Sequence, residues 1–412
     1  MGRKVCVLFI FFFISILSYA QTHGLEAYIR QGIQNSPLLK DYENQLQSGI
    51  IDSLLLKAGK KPAVNGIGLI IAVPSYKGWG YDDAITNGGN YSALASASQS
   101  IFTKKIYAPQ YEAVNLTKQS VSNASKISEH DLKKTITDLY LSAYASLRQM
   151  QFVQAAYLLL KDEELILQEF VQHGVYKQTD YLSFEIAVQS QEIQIKQSLI
   201  RYKMDLRDLN IICGISDTSY QTLDAPIIYT AVSRSAEASP FFKQFKIDSL
   251  KITNQKSLVD IKYLPKLNWF ADAGLLGSNP AMLYKNFGTS FGLNFSVPIY
   301  DGNQKNLQYQ KLAVTESTRN NYQIFFKTQY SAHIMQVRSE IKQIEQLTGQ
   351  IKNQLNTSET LINASRQQLT KGALSVTDFI ITIKNDIDIK NQLNQSEMKK
   401  LQLTNELNYW NW

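Results

Sequence analysis

FGTSFGLNFSVPI, residues 287–299, alternates without interruption. One set of side chains is Phe287, Thr289, Phe291, Leu293, Phe295, Val297 and Ile299; the other is Gly288, Ser290, Gly292, Asn294, Ser296 and Pro298. A strict period of two predicts a β-strand whose faces meet different environments, one apolar and one small and polar. Just upstream, LNWFADAGLL at 267–276 sets Leu267, Trp269, Ala271, Ala273 and Leu275 against Asn268 and Asp272. Farther back, YSALASASQSIF at 91–102 shows the pattern more weakly, as small residues alternating with serines. VNGIGLIIAV at 64–73 is apolar on both faces, so its orientation stays open.

Such strands suit either half-buried hairpins of a soluble sandwich or the wall of a transmembrane barrel, which needs ~9 to 11 tilted residues. The polar face decides for the barrel. Ser290, Asn294, Ser296, Asn268 and Asp272, among glycines, are what a water-filled lumen takes, whereas Trp79, Tyr91, Trp269, Phe287 and Tyr300 gather near strand ends as an interface girdle does. Four strands cannot close a barrel, so further copies of the chain must supply the rest.

The N-terminus agrees with export. MGRKVCVLFIFFFISILSYA carries Arg3 and Lys4, an apolar run from Val5 to Leu17, and Ser18-Tyr19-Ala20 before Gln21. Residues 1–20 therefore read as a secretory signal peptide cut after Ala20, the apolar run being too short for a spanning helix. Loss of Arg3 and Lys4 lowers the formal charge from +7 to +5, and only Cys213 remains, so the mature fold holds by packing without a disulfide. The histidines at 23, 130, 173 and 333 lack metal-ligand spacing, and no GxSxG, P-loop or HExxH occurs. Nothing predicts an enzyme, a catalytic residue, a metal, a cofactor or a nucleic-acid partner.

Two decapeptides, HGVYKQTDYL at 173–182 and KGALSVTDFI at 371–380, align column by column and expose a larger duplication. Gly174 and Gly372 lie 198 residues apart, as do Asp180 and Asp378, Ile101 and Ile299, and Leu209-Asn210 and Leu407-Asn408. Upstream the offset is 203, matching Pro37 with Pro240 and Pro62 with Pro265, so one loop between Pro62 and Ile101 is longer in the first copy. The division is a first repeat over 21–213, a linker over 214–239 and a second repeat over 240–412. Each repeat holds a helix, a strand pair and a long helical hairpin.

From Pro109, placed as in a first helical turn, to about Gln172 there is no further glycine or proline, and from about Gln304 to Lys371 only Gly349. At ~1.5 Å per residue each helix is on the order of 100 Å long. In EIKQIEQLTGQIKNQLNTSETLINASRQQL a narrow seam (Ile344, Leu347, Ile351, Leu355, Ile362, Leu369) runs through polar residues, which predicts lateral coiled-coil contact with wet faces. A solid stalk satisfies the helices alone; with the strands, a hollow tube continuing the lumen satisfies both. Gly174 and Gly372 suit helix-ending positions, and Ser375-Val-Thr-Asp378 reads as a capping box, so tips at 174–180 and 372–378 are tight helix-to-helix turns.

The doubled strand-pair and helical-hairpin plan, the FSVPIYDGNQ segment at 295–304 with Pro298, Tyr300, Asp301 and Gly302 at the strand-to-helix joint, and the Gly-x5-Asp tips together resemble the TolC-like outer-membrane efflux proteins. The resemblance covers essentially the whole mature chain. It implies an α+β membrane protein: a homotrimer whose 12-stranded β-barrel, four strands per chain, sits in outer-membrane lipid and is continued by an α-helical periplasmic tunnel. It implies an equatorial linker over 214–239, and tips that meet a periplasmic adaptor (membrane fusion protein) and an inner-membrane pump in efflux or type I secretion. Under threefold symmetry Asp180 and Asp378 would place six carboxylates near one aperture; in the simpler reading both only cap helices.

Two departures are visible. Thr103-Lys104 stands where the second copy has Asp301-Gly302, and Ile381 occupies the place, one turn past the tip aspartate, where the family often has another acid. No motif reports the cargo. The competing class, a periplasmic adaptor or structural coiled-coil protein, would carry one hairpin between soluble β domains rather than two complete repeats.

Overall fold

The computed structural model describes residues 24–74, 76, 78–82, 87–101, 104–216, 221–231 and 236–412. The expected signal peptide, Thr103 and parts of the linker lie outside them. In chain order the elements are α1 (Leu25–Asn35), α2 (Pro37–Ala58), β1 (Ala63–Ala72), β2 (Gly89–Ser100), α3 (Lys104–Gln172), α4 (Gln178–Cys213), α5 (Pro240–Lys262), β3 (Lys266–Gly277), β4 (Phe287–Ser296), α6 (Gln304–Thr370) and α7 (Val376–Trp410). The starts of β1 and β3 are 203 residues apart and those of β2 and β4 are 198 apart, the same spacings that relate the aligned sequence segments.

The chain divides into two compact units, and α3 and α6 contribute to both. The sheet-bearing unit comprises Pro37–Glu129 and Arg234–Ala332. Its strands are all antiparallel in the order β1-β2-β3-β4. Register places Asn65, Ser96, Asp272 and Ser290 in one row across all four strands, and Val64, Ala97, Ala271 and Phe291 in a row on the other face. β1, ambiguous by itself, is thereby oriented: Val64, Gly66, Gly68 and Ile70 join the apolar face, while Ile67, Leu69 and Ile71 share a face with Asn65. That apolar face is bare, with Ile70 81% and Phe291 91% exposed. Among the described residues β1 and β4 are each paired on one side only.

β4 is three residues shorter than expected. It stops at Ser296 because Pro298 has no N–H to give a ladder, and Ile299 projects into solvent. Pro109 also departs from expectation. α3 begins at Lys104, so the proline is the sixth helical residue rather than part of the first turn, and Asn254 Nδ2 donates to its carbonyl at 3.0 Å. In the same unit α5 leads with Phe241, Phe242 and Phe245, which pack on Phe326 at ring separations of 6.2, 5.3 and 5.7 Å. Asn123 ties α3 to α5 through the Pro240 carbonyl at 2.9 Å.

The other unit comprises the chain up to Ser36, His130–Ser233 and His333–Trp412. One core gathers Leu25, Tyr28, Ile136, Tyr140, Tyr202, Leu206, Leu209 and Cys213. Gly32 brings α1 against Ile136 and Cys213 so closely that a side chain there would overlap Ile136. Burial pushes the Cys213 thiol up to about 12, so it stays a neutral packing group. Within the expected linker, 221–231 has no regular structure yet is tied down: Tyr140 donates to the Asp224 carbonyl at 2.7 Å, Tyr202 donates to the Gln221 carbonyl, and the Asn408 amide bonds both the Tyr229 carbonyl and the Ala231 N–H at 2.7 Å. Buried tyrosines thus satisfy backbone that no helix or sheet supplies.

Candidate functional site

Three places hold the residues singled out by the sequence. On the polar face of the sheet, Asp272 accepts from the Ser290 hydroxyl at 3.3 Å, and Asn268 accepts from Ser100 at 2.5 Å. Asn294 stands opposite Asn268, and Ser296 opposite Lys266. The two hydrogen-bonded pairs tie β3 to a neighbouring strand on either side. Phe270 was not marked by the alternation. It stands opposite Gly292 on this same face, and its ring occupies the space a side chain there would need, with a ring carbon 2.5 Å from the position of a Cβ. A large aromatic facing a glycine in register is the signal that would have found it.

The strand-to-helix joint follows β4. Tyr300 is solvent-exposed after Pro298, and Asp301-Gly302-Asn303 makes the turn, with φ of +64° at Gly302 and +68° at Asn303. The Asp301 carboxylate accepts the N–H groups of Asn303 at 2.9 Å and Lys305 at 2.8 Å, serving the donors that open α6. Beside it Asp260 binds Lys305 Nζ at 2.7 Å and accepts from the Tyr309 hydroxyl.

Hydrogen bonds from Lys305 and Tyr309 hold the Asp260 carboxyl below the usual carboxylate range; the Lys305 N–H, then the Tyr263 hydroxyl, do the same for Asp301. A carboxyl whose folded pKa is depressed contributes stability above its unfolded pKa, and that contribution disappears as pH falls through the folded value. Acidification below about pH 4 should therefore loosen the joint. Amide exchange at residues 301–305 is the measurement: it should quicken on acidification beyond the intrinsic chemical trend, and Asp260→Asn with Asp301→Asn should remove that excess.

At the tips, Gly174 and Gly372 adopt φ of +73° and +69°, each ending a long helix. The N–H of Val175 returns to the Phe170 carbonyl at 2.8 Å and that of Ala373 to the Gln368 carbonyl at 2.9 Å, the six-to-one closure of a Schellman turn. Both aspartates have capping work. Asp180 accepts the Lys177 N–H at 3.1 Å. Ser375 accepts the Asp378 N–H at 3.1 Å, but the Asp378 carboxylate takes the Ser375 hydroxyl at 2.6 Å instead of its N–H, so the expected capping box is only half formed.

The two tips form one body. Leu160, Leu167, Phe184, Val188, Leu369, Val376, Phe379 and Ile383 share a core. The Tyr176 hydroxyl is within 2.8 Å of the Leu369 carbonyl and 2.9 Å of the Leu374 carbonyl, so the first tip straps the second. No motif marked Tyr176, because its partners lie almost two hundred residues away. Ile381, three residues past Asp378, is exposed beside this core.

No protein-family model matches the sequence, and no curated protein is significantly similar to it. Solved structures do share the fold. A membrane protein from Pseudomonas aeruginosa superposes with a TM-score of 0.75 at 10% identity, over 94% of this chain and 90% of the other. The outer-membrane channel CmeC of Campylobacter jejuni gives 0.72 at 14% identity, over 94% and 85%. The outer-membrane protein VceC of Vibrio cholerae gives 0.73 at 12%, over 94% and 95%. This chain thus shares its fold with solved outer-membrane channels at 12–14% sequence identity.

Proposed function

We propose that three copies of this chain assemble into an outer-membrane channel-tunnel that carries solutes or proteins from an inner-membrane pump and a periplasmic adaptor to the exterior. The four strands form one third of a 12-stranded barrel; residues 73–74, 76, 78–82, 87–88 and 278–286 face outward; the long helices form a periplasmic tunnel whose tips dock on the adaptor. The observation that carries this reading is the two-faced sheet. A face with Phe291 and Ile70 bare belongs in hydrocarbon, and a face with the Asn65, Ser96, Asp272 and Ser290 row belongs in water. An adaptor or coiled-coil stalk has no use for such a sheet. Efflux and type I secretion both fit, since a wide aqueous path selects little.

Purified protein in planar bilayers tests the reading: it should open discrete, cation-favouring conductances. Asp378, exposed and with lone pairs to spare beyond its cap, supplies charge at the tip aperture. Asp378→Asn should lower cation selectivity and divalent-metal block while leaving helix content unchanged. Unchanged selectivity would reduce Asp378 to a capping residue, and absence of any conductance would defeat the channel itself.

A further inference from the structure

Basic residues crowd one end of the sheet. Lys60 and Lys61 precede β1, Lys104 and Lys105 follow β2, and Lys262 and Lys266 flank the start of β3. Among the described residues none of these six forms an ion pair. The described residues at the opposite, loop end, 76, 78–82, 87–88 and 278–286, include one lysine, Lys285, and one carboxylate, Asp82.

The duplication shows that the lysine-rich end is built two ways. In the second repeat Lys305 lies over the rings of Tyr263 and Tyr309, 5.4 and 5.7 Å from their centroids. In the first, Lys60 lies over Tyr107 and Tyr111 at 3.4 and 5.3 Å. By the offsets of 203 and 198, Lys60 corresponds to Tyr263 and Tyr107 to Lys305: the cation and its ring have changed places. Both versions keep a cation over aromatic faces. They differ in neutralisation. Asp260 pairs with the Lys305 ammonium and Asp301 accepts the Lys305 backbone N–H, whereas their counterparts in the first repeat are Lys57 and Thr103. The first joint has gained a cation where the second has an anion.

That uncompensated joint also opens into a cavity of about 860 Å³, lined by Lys60, Lys104, Lys118, Tyr107 and Tyr111, with Glu112 its one carboxylate among the described residues. Its wall includes the end of β2, where Gln99 accepts from the Trp269 indole at 3.1 Å. Gln99 and Trp269 belong to the apolar face of the sheet, so that face runs up to the cavity. Three lysines against one carboxylate call for an anion, and an apolar surface leading to it calls for an anion that carries hydrocarbon.

We propose that the first-repeat joint binds the phosphate head group of an anionic phospholipid in the leaflet facing the helices, with the acyl chains along the apolar sheet face. The proposal rests on the membrane reading above, and it assigns this cavity to lipid rather than to free phosphate or a passing solute. Native mass spectrometry of the full mature protein in detergent is the test, with phosphatidylglycerol, phosphatidylcholine or inorganic phosphate added separately.

Phosphatidylglycerol adducts should persist at energies that strip phosphatidylcholine. Lys57→Asp, which copies Asp260 into the first repeat, and separately Lys60→Gln with Lys104→Gln, should lower adduct abundance at least about tenfold, while Lys262→Gln leaves it unchanged. Bilayer conductance in each variant controls for folding. Adducts lost with conductance intact support the site, and a protein without conductance or detergent requirement would defeat the membrane reading instead. Equal phosphatidylglycerol retention in both first-repeat variants would overturn the inference, and so would full displacement of the lipid by equimolar inorganic phosphate.

Discussion

Gly274→Val should leave almost no assembled protein in the membrane fraction. Gly274 has φ of +156°, and a Cβ there would lie 2.8 Å from the Leu94 Cα and closer still to the Ala93 carbonyl oxygen. Both obstacles are backbone of β2, which cannot step aside without breaking the β2–β3 ladder. A β-branched residue at positive φ adds ~1–3 kcal/mol of strain to that loss, a large share of the ~5–15 kcal/mol that holds a typical domain. Gly288, its register partner on β4, is the control, because a Cβ there meets nothing within 4 Å. Gly274→Val should reduce the heat-modifiable folded band on electrophoresis more than about tenfold, and Gly288→Val should keep it. Equal yields from the two variants would mean that the close approach of β2 and β3 is not what positions the wall.

The second large effect is expected at the tips. Phe184 and Phe379 are fully buried at the centre of the core shared by both hairpin ends. Truncating an aromatic in such a site costs ~3–5 kcal/mol, and the surrounding helices are too regular to collapse onto the void. Phe379→Ala should therefore speed amide exchange across 170–188 and 369–387 by at least about a hundredfold. Val175→Ala, at an exposed tip position, should not. Exchange that rises only around residue 379 would show that the two tips open independently, against the strap made by Tyr176.

Much of this was written in local patterns. The run from Phe287 to Ser296 states its own period, and Gly174 and Gly372 punctuate the helices because a left-handed residue is needed there. What local reading left open depended on partners. β1 is apolar on both sides, and only the pairing of Asn65 with Ser96 assigns its faces. Phe270 stands on a polar face because Gly292 opposite leaves room. Tyr176 looks like any tip residue until the second hairpin is beside it. The overrun past Ser296 has another cause: alternation continued through Pro298, but side-chain period alone does not report a missing donor.

If three copies close the wall, β1 and β4 are the edges at which they pair. An exposed, unpaired pair of edges beside a bare apolar face is not a stable end state for a single chain. The protein-only mass of the detergent-solubilised, crosslinked complex measures this most directly. Three chains, twelve strands, with no larger open-ended series are expected; a stable monomer or dimer that still conducts would contradict the closed wall.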